Sequence, residues 1–348
     1  MAVTRVPRRL AVVIDEQDDV AYTRAALNAH QPELGRITIQ PTPASSHPAT
    51  LAHDVLYALG KRLASGPGGP DIPLDSVRPA WLAAAAWSAA TGIRHLVVTR
   101  AHLLTTTRLN QLLAWREATG VQLTLLWQTT PRRMPPTLAS IEHHLTGLDQ
   151  LHAALAASGP RPARPFFPPL PASPDTSTPT PPLPHGARLL PAQAAHTGPV
   201  PPPRSRQSCM GATATAQQAS PLPALPVRPQ DSAYLATLAH PLIAGALSVL
   251  AFTGTTQIAL RDTRDIDLSG HATLLRTHSP GHRRCRLYEV PTWARPLLAA
   301  ARAHHRLADR RPEEKLFAPG LQSGAKALRA HREHLPALCE VRDERAWR

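Results

Sequence analysis

Three clusters of residues in this 348-residue chain have types and spacings that bear on chemistry. The first is RTHSPGHRRCR over 276–286, where His278, His282 and Cys285 stand close together with His271 just upstream. Imidazole and thiolate both bind zinc. The set as a whole follows no zinc-finger spacing, and its arginine neighbours oppose a cation, so neither a metal nor another cofactor is expected. The second cluster is EQDD over 16–19, which sets Glu16, Asp18 and Asp19 directly after the apolar run LAVVID. Carboxylates at that place repel a polyphosphate. The third is arginine: Arg276, Arg283, Arg284, Arg286, Arg295, Arg302, Arg306, Arg310 and Arg311 fall within 271–311, against only Glu289 and Asp309. A guanidinium fork pairs with phosphate oxygens. Such a set is a candidate phosphate-contacting face, and a solvated basic face is the plain alternative.

The charge of the whole chain points the same way. Its 38 Lys and Arg outnumber 24 Asp and Glu, for a net charge of +14. Such an excess favours polyanions, double-stranded DNA first, through counterion release. An arginine-rich codon bias produces the same balance with no partner at all. Cys209, Cys285 and Cys339 are too few and too scattered for a disulfide framework. The longest apolar run, 242–252, falls well short of the roughly 20 residues that span a bilayer. The start MAVTRVPRRL lacks the form of a signal peptide. A cytoplasmic protein without membrane contact is expected.

The elements that must position these residues follow from periodicity and proline. Residues 160–229 hold 20 of the 39 prolines. Proline fixes φ and removes a donor, so this stretch reads as a disordered, partly polyproline-II linker. Before it, strand-like LAVVID, RITIQ, HLVVT and VQLTLLW alternate with helical patterns such as TLAHDVLYALGKRLA and RLNQLLAWREATG. That alternation predicts an α/β domain with a parallel sheet and helices on both faces. After it, a helix over 232–252, a short hairpin (HATLLRT, RCRLYEV) and the amphipathic PTWARPLLAAARAHHRLA predict a mainly α domain. The expected boundaries are 1–155 for the first domain, 156–230 for the linker, 231–320 for the helical domain and 321–348 for a charged tail.

In its layout, the order of elements over 10–150 resembles the AAA-type P-loop ATPases. The resemblance implies a glycine- and lysine-bearing phosphate loop after the first strand and an acidic pair after a later one. Here EQDDVAYTRAAL has neither glycine nor lysine, and Thr99 and Arg100 in LVVTRAHLL occupy the acidic positions. Ala101, His102, Leu103 and Leu104 keep the rest of that pattern. A pseudo-ATPase fold, used for packing or for contact with a protein partner through 1–155, is the expectation.

Residues 240–320 resemble the catalytic domain of the tyrosine recombinases, the phage-integrase family. The matching pieces are ALSVLAFTG, IALRDTRDIDL, RTHSPGHRRCRLYEVP, WARPLLAAARAHH and KLFAPG. The resemblance implies a tyrosine nucleophile, an arginine clamp opening just after TG, a hairpin lysine and histidine-type acid–base helpers. Thr255 and Thr256 stand where the clamp begins, and His278 stands where the lysine belongs. In the family this hairpin lies along the DNA backbone, so the resemblance makes Arg276, His278, Arg283, Arg284 and Arg286 the candidate DNA-contacting residues. All four tyrosines lie at or before Tyr288, and AHREHLP supplies His331, Arg332 and His334 in the wrong order. The expectation is a non-catalytic, integrase-like DNA-binding or DNA-recombination accessory protein. A protein-interaction scaffold and a decayed, truncated recombinase are the two other readings.

Overall fold

The computed structural model describes residues 10–43, 45–63, 74–139, 144–156, 220–255, 260–278 and 285–317. Most of the expected linker and the whole 321–348 tail lie outside the described residues. In the first part, β1 (Leu10–Ile14), β2 (Arg36–Ile39), β3 (His95–Val98), β4 (Gln122–Trp127) and β5 (His144–Leu145) form one sheet in the order β2-β3-β4-β1-β5. Every pairing is parallel, with Val12 opposite Leu125 and Val97 opposite Thr124. Parallel neighbours require crossovers, and helices supply them. These are α1 (Val20–Asn28), α2 (Thr50–Ala58), α3 (Val77–Thr91), α4 (Thr106–Thr119) and the single turn α5 (Pro136–Ala139), while α6 (Leu148–Ala156) follows the last strand.

Alternation along the strands sorts the helices onto two faces. Val12, Leu96, Val98 and Leu125 pack with α2, α3 and α4. Val13, Val97 and Leu126 pack instead with Ala25 and Ala26 of α1 and Leu151 and Leu155 of α6. The expected α/β sheet with helices on both faces is the one observed. Gly120 closes α4 at φ 73°, a left-handed position that glycine takes at little cost.

The second part contains α7 (Pro229–Thr237), α8 (Pro241–Thr253), the antiparallel hairpin of β6 (Leu274–His278) and β7 (Cys285–Glu289), and α9 (Arg295–Leu307). The single helix expected over 232–252 is two helices. Pro241 lacks an N–H and biases His240 to extended backbone (ψ 111°), so the chain turns at 238–240 and restarts with proline in the first turn. Leu222 pairs with the hairpin, its N donating to Leu287 O (2.8 Å) and its O accepting from Glu289 N (3.0 Å), while Leu225 N donates to Phe252 O of α8 (2.7 Å). No described helix is long and apolar enough to cross a membrane.

The two parts share one hydrophobic core. Residues from the sheet, α2, α3 and α4 lie in the same buried cluster as residues from α8, α9 and the hairpin. The all-round apolar sequence WLAAAAWSAA explains this: α3 has no polar face to offer solvent and is buried from Ala83 through Ser88 without a break. Trp87 Nε1 donates to Ala239 O (2.7 Å), and Arg62 N to Thr237 O (2.6 Å). Lys61 Nζ sits 3.4 Å from the centre of the Trp87 ring and donates to Ala236 O (2.6 Å) at the end of α7.

Candidate nucleic-acid interface

The turn around DIDL is built from the inside. Asp265 is buried, at 1% exposure, and its carboxylate pairs with the Arg302 and Arg306 guanidinium groups of α9. Arg302 also donates to the carbonyls of Asp265, Leu268, Ser269 and Gly270. One side chain thereby serves four carbonyls of the turn, two of which, Asp265 O and Ser269 O, also accept from Leu268 N (3.1 Å) and Ala272 N (2.9 Å). Asp267 is held beside it: its Oδ2 accepts from Arg264 N (2.8 Å), while Oδ1 accepts from His278 Nε2 (2.8 Å) across to the hairpin.

The hairpin separates the arginines that the sequence groups together. Arg276 stands opposite Leu287, and Arg286 opposite Thr277. Paired residues share a face and neighbours alternate. Arg276 therefore lies on the outer face with His278, Cys285 and Glu289, and it is exposed. Arg286 lies on the inner face with Leu275, Thr277 and Tyr288, all three buried. Arg283 and Arg284 are outside the described residues. Of the other arginines counted with them, Arg295 Nε donates to Val290 O (3.2 Å) and Arg310 pairs with Glu314 (3.5 Å). His278, a candidate DNA contact, is engaged with Asp267 on one ring nitrogen and with Cys285 Sγ on the other (3.2 Å to Nδ1).

Where the integrase resemblance opens an arginine clamp, the backbone turns at Gly254 (φ 63°), the C-cap of α8. The next residue, Thr255, is buried at 1% exposure, and Thr256 is outside the described residues. His271 lines a cleft of about 630 Å³ between the two parts, together with Glu33, Thr91, Thr273 and Arg295. Among the described residues, no group of three His, Cys, Asp or Glu is placed to hold a metal ion.

Beyond the carboxyl ends of β1, β3 and β4, side chains and backbone bond to one another. Gln128 Nε2 donates to Asp18 Oδ1 (2.5 Å) and Thr23 Oγ1 (3.0 Å), while its Oε1 accepts from Arg100 N (2.9 Å). Asp18 and Arg100 both adopt positive φ, 53° and 49°. The amino end of α1, the ready anion site of such a fold, is capped by its own carboxylate: Ala21 N donates to Asp19 Oδ1 (2.8 Å). Asp15 is buried behind it at 4% exposure. His102, edge-on to Trp127 at 6.4 Å, is held below the usual imidazole range by burial.

A scan against protein-family models, a search of curated proteins and a search of solved structures each returned no match. The sequence reasoning missed two arrangements: the Asp265–Arg302 pairing and the Asp267–His278–Cys285 line. The signals for both were present, in DIDL and in the period-2 spacing of the hairpin, but the pairing partner of each lies 11 to 37 residues away.

Proposed function

We propose that this chain is a non-catalytic, integrase-like DNA-binding or DNA-recombination accessory protein. The observation that carries the reading is the hairpin. A rigid turn, anchored by Asp265 and Arg302, holds β6 so that exposed Arg276 stands on the outer face. In sequence, Arg283 and Arg284 follow it, outside the described residues. Exposed arginines of this kind contact backbone phosphates and bind duplex DNA with little sequence preference. Two features support the absence of nucleotide and strand-cleavage chemistry: the amino end of α1 carries its own carboxylate cap, and a buried threonine follows Gly254.

The test is a titration of the full chain with duplex DNA, because the shared core gives neither part a surface of its own. Binding at 50 mM salt that weakens steeply as salt rises supports the reading; no binding at 50 mM salt overturns it. The latter outcome favours a protein partner on residues 1–155. The specific observation for that second reading is the exposure of Val20 (65%) and Leu27 (50%), seven residues apart on one side of α1.

A further inference from the structure

Cys285, His278 and Asp267 lie in line on the outer face of the hairpin and the turn beneath it. Cys285 Sγ is 3.2 Å from His278 Nδ1, and His278 Nε2 is 2.8 Å from Asp267 Oδ1. The arrangement fixes the tautomer. An ionised carboxylate only accepts hydrogen bonds, so the ring proton must sit on Nε2 and donate to Asp267. Nδ1 then presents its lone pair to the thiol. Asp267, with a side chain only 5% exposed, is desolvated and held by Arg264 N, so it is placed to stabilise an imidazolium. A nucleophile next to a base, with the base oriented by a third group, is the general arrangement of an activated thiol. Arg276 is the diagonal neighbour of Cys285 in the hairpin register, and a nearby cation favours the thiolate.

From this geometry we infer that Cys285 is an activated thiolate and a site of covalent modification by low-molecular-weight disulfides. Half-buried Cys285 keeps part of its surface open to a small reagent. In the step, the thiol proton passes to His278 Nδ1 and the Cys285 thiolate attacks one sulfur of the disulfide. The new S–S bond forms as the old one breaks. The leaving thiolate carries away the electron pair and takes the proton from His278, while Asp267 stays ionised throughout. The inference does not depend on DNA binding.

The experiment uses the full chain carrying Cys209→Ser and Cys339→Ser, so that Cys285 is the only thiol. Its alkylation rate with iodoacetamide is measured at pH 6.5 and 8.5, and its mixed disulfide with oxidised glutathione is detected by intact mass. An ordinary thiol, half ionised near pH 8.5, slows by about fiftyfold over that interval. The expected result is a change of less than about threefold, a glutathione adduct at neutral pH, and restoration of the steep profile in His278→Ala. A steep profile in the chain that keeps His278 overturns the inference, and it does so whether or not the variant folds. Asp267→Asn, which keeps the shape but removes the charge, is expected to fall between the two.

Discussion

At Arg302 a side chain that the sequence counts among cations available to a partner is 3% exposed and spent inside the fold. Its guanidinium pairs with Asp265 and serves four carbonyls of the 265–270 turn. Arg306 reaches the same carboxylate (3.0 Å) from a side chain 30% exposed. Removing one partner of a buried pair leaves an uncompensated charge and typically costs about 3–5 kcal/mol; losing the partly exposed Arg306 leaves Asp265 still paired with Arg302 and costs about 1 kcal/mol or less. Arg302→Ala is therefore expected to lower stability by about 3–5 kcal/mol, and Arg306→Ala by about 1 kcal/mol or less. Urea unfolding of the two variants checks the contrast, and equal losses would contradict it. The DIDL motif was legible from sequence as a landmark. Its role was not, because nothing local to residues 265–268 names a partner on a helix 37 residues away.

Among the elements, those defined by short-range pattern were legible and those defined by long-range packing were not. The apolar runs LAVVID and HLVVT and the glycine after α4 fix strands and a helix end within a few residues of where they fall. The break between α7 and α8 turned on Pro241, whose effect is overlooked when the flanking residues are uniformly apolar. Two-residue β5 carries no period to read. The crossing of α8 and α9 also depends on one small residue. A Cβ built on Gly245 meets Ala301 Cβ at 2.8 Å and the Phe317 ring at 3.1 Å. Overpacking of this kind costs about 1–3 kcal/mol. Gly245→Ala is expected to destabilise the chain by that amount, and Ala301→Gly to recover part of it. A double-mutant cycle by thermal unfolding measures the coupling, and strict additivity would show that the helices do not meet here.

Across the whole molecule, buried titratable groups tie stability to pH, in the sheet as well as where the two parts meet. Burial pushes the Lys61 ammonium down to about 7, against the ring and carbonyl contacts that favour its charge. Burial likewise holds His95 and His240 at about 4 and His304 at about 3. In each case the folded value lies below the unfolded one. The unfolded chain then binds more protons, and stability rises with pH. The histidine contribution is present above pH 6.5 and is lost as pH falls toward 4. The Lys61 contribution grows as pH climbs from about 7 toward 10.5, at no more than about 1.4 kcal/mol per unit. Near pH 10 Tyr22 and Tyr234, whose phenols are raised by burial, act with the opposite sign. Urea midpoints from pH 7 to 9.5 are expected to rise in the natural chain and stay flat in Lys61→Met; a flat natural chain would contradict the assignment.

The fused architecture also redirects the charge argument. A net charge of +14 is legible from composition, yet the structure engages Arg302, Arg306 and Arg310 with carboxylates and leaves Arg276 exposed on the hairpin. The proposed DNA affinity is therefore assigned to Arg276 and its sequence neighbours Arg283 and Arg284, not to the bulk charge. The most direct measurement is the salt dependence of duplex DNA binding by the full chain and by Arg276→Ala/Arg283→Ala/Arg284→Ala. The account predicts binding at 50 mM salt with a steep negative slope of log affinity on log salt. It also predicts that the triple variant lowers that slope by about 2–3, at roughly 0.9 for each phosphate no longer neutralised. No binding at 50 mM salt, or an unchanged slope in the triple variant, would contradict it.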